Sequence, residues 1–475
     1  MNGCAGTDAS KLEALRQNLS RQAPSPTTPD RPHSRLWIAY SGGRDSHALL
    51  HAAATLPALR HLALSAVHID HGLHPHSGDW AEHCRQQCAM LHVPLKVQRV
   101  QVAPARGQSL EEAARLARWT LWETLLAPGE QLWLAQHQDD QAETLLLALL
   151  RGAGVAGLAA MPRARALGAG QAVRPWLECP GAWIAAYASA QRLSWIEDPS
   201  NQDTRFDRNH LRHRILPLLR ARWPAASATL ARSAAHCAEA QQLLDRASAD
   251  WLTQARATAA GSLSIQALQS LSPEQQHAVL RHWLAQGGFR MPSQRRLEAI
   301  CHSLLQARAG AQGLVAWSGC EVRRYRDQLF ALPPLPAQPA AGTALRWDLR
   351  QPLVLGERLG ELSVPASPEI SEVLGRLAGR LAVDCAPQLQ VRFAVSGLRC
   401  RVRPGAPSRT LKALFQQVGV PAWLRPYVPM LFAGEHLLAI AGVALCDARL
   451  PVLRWQHALG CEAGLSEFIR YGNTQ

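Results

Sequence analysis

The hexapeptide Ser41-Gly42-Gly43-Arg44-Asp45-Ser46 constrains this chain more than any other feature. It stands between a short apolar run, Leu36-Trp-Ile-Ala-Tyr40, and a helical pattern over 45–56. Two consecutive glycines at such a corner let the backbone curl so that amide N–H groups converge on one point. The serine hydroxyls add donors, and the N-terminus of the following helix adds a favourable dipole. Such a corner is suited to phosphate. Asp45 cannot attract phosphate itself, so holding Mg2+ or orienting the loop is the work left to it. The bland alternative is an ordinary strand–turn–helix corner. Five fixed positions in this order, after a strand and before a helix, are rarely met by chance.

The text around the loop alternates. Apolar runs at 36–40, 62–69, 94–102 and 131–136 are separated by helical patterns at 45–56, 79–92, 109–126 and 139–150. That alternation predicts β-α units around a buried parallel sheet. Ser109-Leu-Glu-Glu112 reads as a capping box for the third helix. One more helix is expected over 181–193, and a basic one over 205–222 that meets Pro217. At 475 residues the chain is long enough for two or three domains. The expected architecture is α/β, a doubly wound parallel sheet, followed by a mainly helical domain and a small strand-rich C-terminal domain. Its boundaries read as a disordered, proline-rich N-terminal arm at 1–34 and a catalytic domain at 35–224. A helical middle domain at 225–331 follows, then a proline-rich linker at 332–344 and a last domain at 345–475.

Basic residues number 50 against 36 acidic ones, a net charge of +14. Such an excess favours a polyanionic partner, most simply nucleic acid. Only Lys11, Lys96 and Lys412 are lysines, so a compositional preference for arginine is the duller reading. No run approaches the ~18 apolar residues of a membrane helix, and the N-terminal stretch has no signal-peptide apolar core. Eleven cysteines without framework spacing suit a reducing cytosol. A cytoplasmic protein away from membranes is therefore expected.

Three further segments carry chemistry. His68-Ile-Asp70-His71-Gly72-Leu73-His74-Pro75 is followed by Trp80, His83 and Cys84. Its histidines invite a zinc reading, but His71, His74 and His76 lack a Cys pair at finger spacing, and Cys84/Cys88 are helix neighbours. His137-Gln-Asp139-Asp140-Gln-Ala-Glu143-Thr144 opens the helical pattern at 139–150, with Arg151-Gly152 and Gly157-Leu158 behind it. On a helix Asp140 and Glu143 share a face; acids in a first turn also simply complement the helix dipole. Glu197-Asp198-Pro-Ser200-Asn201-Gln-Asp203-Thr-Arg-Phe-Asp207-Arg208-Asn209 leads into a basic stripe of Arg205, Arg208, Arg212, Arg214, Arg220 and Arg222. A second basic cluster comprises Arg399, Arg401, Arg403, Arg409 and Lys412. Gly152-Ala-Gly154-Val-Ala-Gly157 fits the dinucleotide fingerprint by letter only, because it follows a helical pattern instead of a strand.

The Ser-Gly-Gly-x-Asp-Ser loop resembles the PP-loop of the ATP pyrophosphatases. The three further segments, with Pro421-Ala-Trp423-Leu424-Arg425 and Pro429 near the C-terminus, resemble the signatures of the tRNA(Ile)-lysidine synthetases within that superfamily. The resemblance is dense over 36–220 and looser beyond. It implies an ATP-dependent carbon–nitrogen ligase that joins free L-lysine to C2 of the first anticodon cytidine of the isoleucine tRNA with a CAU anticodon. The reaction would pass through an adenylated base, release pyrophosphate and AMP, and change codon reading from AUG to AUA. ATP contacts are implied for Ser41, Gly42, Gly43, Arg44, Asp45, Ser46, Asp70 and His71, with Asp45 also on Mg2+. Asp140 and Glu143 would hold the substrate lysine, one of them taking its proton, with His137 and Asp139 as supports. Asp45, Asp140, Glu143 and Arg208 form the implied catalytic set, Arg208 on an ATP phosphate or the adenylate. Arg205, Arg212, Arg401, Arg403, Lys412 and Arg425 would contact tRNA. A homodimer is compatible with this reading.

Rivals need features the chain lacks. A tRNA thiolase would need a nucleophilic or cluster-binding cysteine set, and an amidotransferase a glutaminase module with its cysteine. A non-catalytic tRNA-binding factor would have no use for an intact Ser41–Ser46 loop beside Asp139, Asp140 and Glu143.

Overall fold

In β1 (Arg35–Ala39) Leu36 and Ile38 enter one apolar core while Trp37 enters another. Period-2 alternation of this kind, apolar on both faces, belongs to a strand buried between two helical layers. The computed structural model describes residues 4–24, 35–72, 75–103, 110–257, 259, 261–308, 311, 313–340, 342–364, 389–395, 397–401, 407–446, 453–457 and 459. The chain divides into two compact units, Met1–Leu243 and Leu244–Gln475.

The first unit is built on β1, β2 (Ala63–Asp70), β3 (Leu95–Arg99), β4 (Gln131–Trp133), β5 (Ala164–Leu167) and β6 (Gly170–Val173), in the order β3-β2-β1-β4-β6-β5. Neighbours from β3 to β6 run parallel, and only the edge strand β5 is antiparallel. The order of strand addition reverses at β1, which has β2 on one flank and β4 on the other. Open α/β sheets bind ligands at that point, beyond the carboxyl ends of the strands. The loop expected to bind phosphate lies there, between β1 and α2 (Arg44–Thr55).

Helices cover both faces: α3 (Ser77–Met90), α4 (Leu110–Leu125), α5 (Gln138–Leu150), the short α6 (Val155–Leu158) and α7 (Gly181–Ala190). Ser109, the expected cap of α4, lies outside the described residues. The basic segment forms α8 (Asp207–His210), a π-helical turn (Leu211–Ile215) and α9 (Leu216–Arg222), with Pro217 accommodated in the first turn of α9. Helix α10 (Ala226–Ala255) follows.

One expectation fails at the N-terminus. Residues expected to form a disordered arm are the helix α1 (Cys4–Gln22), whose Leu15 and Leu19 are fully buried in the core shared with α2 and α7. The reason is spacing. Leu12, Leu15 and Leu19 recur at helical intervals and give the segment an apolar stripe, whereas the prolines all come after it.

In the second unit, α11 (Ile265–Gln269), α12 (Pro273–Gln286) and α13 (Gln294–Ile300) pack against a sheet of β7 (Leu263–Ser264), β8 (Leu314–Trp317), β9 (Cys320–Tyr325) and β10 (Gln328–Leu332). Strands β11 (Ala344–Arg346), β12 (Leu353–Gly356), β13 (Gly360–Ser363), β14 (Leu389–Arg392), β15 (Arg399–Cys400) and β16 (Arg409–Thr410) follow. Helix α14 (Leu411–Val418) precedes β17 (Met430–Ala433), β18 (His436–Ile440), β19 (Ala444–Leu445) and β20 (Arg454–Gln456). The main sheet here runs β11-β14-β17-β18-β19. The proline-rich segment expected as a linker is tied down within this unit. The Tyr427 hydroxyl donates to the Pro336 carbonyl at 2.7 Å, and Leu335 packs beside Trp423.

Candidate active site

The loop after β1 is held by its own hydroxyls. The Ser41 amide donates to Ser46 Oγ at 3.2 Å, Ser46 Oγ donates to the Gly43 carbonyl at 2.9 Å, and the two hydroxyls lie 3.0 Å apart. Gly42 has φ +85°, and a Cβ there would meet Ile196 Cδ1 at 2.6 Å and Cys84 Sγ at 3.0 Å. Only glycine satisfies both the left-handed backbone and that close approach. On the neighbouring strand, Asp70 and His71 stand at the carboxyl end of β2, with Asp70 Oδ1 accepting from the Gly72 amide at 2.8 Å. Burial and the Arg118 charge push His71 down to about 4, so it is neutral at physiological pH.

Helix α5 begins at the same end of the sheet. His137 caps it: in the neutral imidazole Nδ1 accepts from the Asp139 amide at 3.3 Å, and Asp140 Oδ2 accepts from the His137 amide at 3.0 Å. That leaves His137 Nε2 facing two carboxylates, with Asp45 Oδ2 and Asp140 Oδ2 each 3.5 Å away. Burial works against protonation of this imidazole, but Asp140, Asp45 and Asp139 together raise its pKa. Burial likewise opposes ionisation of Asp45. Its hydrogen bond and charge interaction with His137, and then Arg44, outweigh that and hold it at about 2.

The arginines supply the remaining partners. Arg208 Nε donates to Glu143 Oε2 at 2.8 Å, and its second nitrogen reaches Asp140 Oδ1 at 3.2 Å. Arg212, on the π-helical turn, donates from Nε to Glu143 Oε1 at 2.7 Å and from its terminal nitrogen to Asp140 Oδ1 at 2.8 Å and Glu143 Oε2 at 3.0 Å. Burial lowers the pKa of Arg212, but Glu143 and Asp140 more than reverse this and keep the guanidinium firmly charged. Glu143 is fully buried, which a carboxylate tolerates only when its oxygens are met by charge.

A third arginine braces this arrangement from behind. Arg220 on α9 donates to Asp139 Oδ1 at 2.7 Å and to Ser227 Oγ at 2.8 Å. Gly181, the first residue of α7, lets that helix pass the cap closely, since a Cβ there would meet Asp139 Oδ2 at 2.6 Å and His137 Cε1 at 2.9 Å. Neither Gly181 nor Ser227 stands out in the sequence, and no local pattern signals them.

Of the residues singled out from the sequence, the structure thus gathers Asp45, Asp140, Glu143 and Arg208 into one cluster, and adds Arg212. Arg208, expected on a phosphate, and Arg212, expected on tRNA, have their guanidiniums on the two carboxylates instead. The physical reason is charge compensation for the buried Glu143. Arg205 lies apart, 89% exposed and paired with Asp203. In the second unit Arg401 and Lys412 are exposed, while Arg425 donates from Nε to the Val420 carbonyl at 3.1 Å and is half-buried. Arg403 and His74 lie outside the described residues. Trp119 and Trp122 pack edge-to-face at 5.3 Å on α4 against the sheet, and Arg165 lies over Trp119 at 4.0 Å.

The PP-loop domain model matches residues 12–219, the TilS substrate binding domain model 263–330, and the TilS substrate C-terminal domain model 389–458. The chain is 42% identical to the tRNA(Ile)-lysidine synthase of Alkalilimnicola ehrlichii, over 91% of this chain and 94% of that one. It is 39% identical to the enzyme of that name from Coxiella burnetii, over 87% and 90%. Among solved structures, a U34-tRNA thiolase from Methanococcus maripaludis is similar over 49% of this chain and 80% of that one, with a TM-score of 0.40 and 12% identity.

Proposed function

The chain belongs to the tRNA(Ile)-lysidine synthase family, and from that membership we propose how its own residues carry the reaction. It is an ATP-dependent ligase that forms lysidine on tRNA(Ile). In the first step the O2 of the first anticodon cytosine attacks the α-phosphate of ATP, and pyrophosphate leaves. In the second the neutral lysine ε-amine attacks C2, AMP leaves with the O2 oxygen, and the nitrogen sheds a proton. The loop Ser41–Ser46 cradles the phosphates with its amides and the N-terminus of α2. Asp70 and His71 line the nucleotide from β2. Asp45, held ionised and partly exposed at the loop, is the residue that would hold Mg2+. That ion would neutralise charge spreading over the leaving pyrophosphate.

Asp140 and Glu143 bind the substrate lysine. The observation that supports this most is continuity: one imidazole, His137, lies 3.5 Å from both the loop aspartate Asp45 and Asp140 of the carboxylate pair. An ATP subsite and an amine subsite therefore share a wall. Arg205, Arg401, Arg403 and Lys412 are proposed to meet tRNA phosphates, positioning the substrate without reading its sequence. No helix among the described residues is long and apolar enough to cross a membrane, and we place the enzyme in the cytoplasm with its tRNA. A homodimer fits this reading.

The test is transfer of labelled lysine to bulk tRNA by purified protein, with and without ATP. ATP-dependent label on an isoleucine tRNA is the expected result. Pyrophosphate release stimulated by tRNA but without label would remove the lysine assignment and leave the adenylation chemistry.

A further inference from the structure

The motif Pro421-Ala-Trp423-Leu424-Arg425 takes no part in the two chemical steps. It lies where the β9–β10 hairpin meets the end of α14. We propose that Trp423 and Arg326 are positioning residues for tRNA: they clamp the C-terminal end of α14 to that hairpin, so that the basic ribbon at its N-terminal end is held fixed for the tRNA backbone. This rests on the reading that Arg401 and Lys412 meet tRNA phosphates, and it sets what holds them in place.

Trp423 stands in a socket of rings and charge. It meets Tyr325 edge-to-face at 5.8 Å and Phe330 at 6.1 Å, and the Arg323 guanidinium lies over it at 5.6 Å. Its indole Nε1 has no hydrogen-bond partner among the described residues, so the ring makes the contact and the N–H does not. Arg326, at the hairpin tip, donates to the Gln416 carbonyl in the last turn of α14. The amides of Gly419 and Val420 both go to the Phe415 carbonyl. Gln416 is thereby left among the unsatisfied carbonyls of a helix C-terminus, where a guanidinium is favoured. Arg326 also holds φ +53°, which costs a non-glycine residue backbone energy. Its grip on the helix end offsets that cost.

Arg425 closes the clamp. It donates from Nε to the Val420 carbonyl at 3.1 Å and lies over Phe415 at 6.0 Å, tying the Trp423 segment back to α14. Tyr325, Arg326 and Phe330 fall within 263–330, and Gln416 and Trp423 within 389–458, so the contact joins the two C-terminal family domains.

The basic ribbon hangs from the opposite end of the helix. Strands β15 and β16 pair with Arg399 opposite Thr410 and Cys400 opposite Arg409. Thr410 then caps α14, its Oγ1 accepting from the Ala413 amide at 3.2 Å, while the Leu411 amide donates to the Leu398 carbonyl at 3.2 Å. Lys412 is in the first turn, and Arg401 directly follows β15. Eight residues of helix hold the two ends about 12 Å apart. A helix this short is not stable alone, so what grips it sets its direction. Freed at one end, a tilt of about 20° would shift the other by about 4 Å, more than a hydrogen bond to phosphate tolerates.

The plainer alternative is a packing contact that only stabilises, and salt dependence separates the two. The indole carries no charge, so its removal cannot itself change how many counterions tRNA binding releases. Filter binding of tRNA between about 50 and 200 mM salt is run beside steady-state lysine transfer on the full-length enzyme. Trp423→Ala should lower the salt slope by about one or more and raise KM for tRNA, leaving kcat and the KM values for ATP and lysine unchanged. Trp423→Phe should restore both. Lys412→Ala should lower the slope by about one in the unaltered enzyme and add nothing in the Trp423→Ala background. An unchanged slope with Trp423→Ala, whatever the affinity, would make the indole a packing group. Additive effects would free Lys412 from the clamp. Either result overturns the proposal while leaving the tRNA contacts standing. Lys412→Ala without effect on the slope of the unaltered enzyme would overturn the contact reading and the clamp with it. Should Trp423→Ala not fold, Arg326→Gln, on an exposed side chain, carries the same test. It too should be non-additive with Lys412→Ala, and additivity would make Arg326 a phosphate contact of its own and overturn the clamp.

Discussion

His137 ties the phosphate loop to the start of α5, its Nε2 lying 3.5 Å from both Asp45 Oδ2 and Asp140 Oδ2. Its place before Asp139, Asp140 and Glu143 marks it as part of a motif, because a helix N-terminus fixes which neighbours share a face over a few positions. Its contact with Asp45, 92 positions away in sequence, is set by the sheet order and leaves no local trace. The same holds for Arg208 and Arg212, which lie 65 to 72 positions from the acids they bind. A basic stripe reads as a solvated or phosphate-binding face until the partners are placed. Two outcomes follow. Glu143→Gln keeps the shape of a buried side chain but strands two arginine forks; lysine transfer should fall at least about 100-fold and stability by about 3 kcal/mol, read by single-turnover assay and denaturant titration. The second concerns pH. A folded-state pKa for His137 above its unfolded value of about 6.5 means that the folded form binds the extra proton more tightly. Its stabilising contribution is complete below that unfolded value and is lost as pH rises through the raised one. Asp45 runs oppositely: depressed to about 2, it contributes above about 4 and loses that as pH falls toward 2. The difference in Tm between the unaltered enzyme and His137→Gln should therefore be largest near pH 5 and shrink by pH 9. A constant difference would remove the charged imidazole from the account.

Among the elements, the α/β alternation was legible because buried parallel strands and amphipathic helices differ in period. The N-terminal helix α1 was not, because its neighbouring proline run dominates the composition of 1–34 while its apolar stripe is only three leucines wide. Leu15→Ala or Leu19→Ala should each destabilise the protein by about 2–5 kcal/mol, as expected for emptying a fully buried site. Leu218→Ala, on a residue 70% exposed, should change stability by less than about 0.5 kcal/mol. Equal effects in denaturant titration would place α1 outside the core. At the phosphate loop, Gly42→Ala meets two penalties: a left-handed backbone worth about 1–2 kcal/mol, and a Cβ 2.6 Å from Ile196 Cδ1. Because that methyl terminates a flexible side chain, the backbone is the larger obstacle. The loop should open and bind a non-hydrolysable ATP analogue about tenfold or more weakly, measured by calorimetry, with a modest fall in Tm.

Across the whole molecule, a net charge of +14 argues for a polyanionic partner but cannot say which arginines meet it. Composition counts charges; structure shows which are already neutralised. Arg212 donates from Nε and one terminal nitrogen to the buried carboxylates of Asp140 and Glu143, while Arg401 and Lys412 are exposed and Arg205 is 89% exposed and paired with Asp203. Surface pairs of the Arg205–Asp203 kind are weak and exchange readily for a phosphate. A protein that neutralises phosphates releases counterions, so the logarithm of its affinity falls linearly with the logarithm of salt concentration, by about 0.7–0.9 per contact. Replacing a true phosphate contact by alanine should reduce that slope by about one. Arg205→Ala, Arg401→Ala and Lys412→Ala are each expected to do so in filter binding between about 50 and 200 mM salt. Arg212→Ala should leave the slope unchanged, because its charge is spent inside the protein, and should instead abolish lysine transfer. A slope that falls with Arg212→Ala and stays constant with the other three would place the tRNA backbone at the carboxylate cluster. The basic excess of the second unit would then be a property of composition alone.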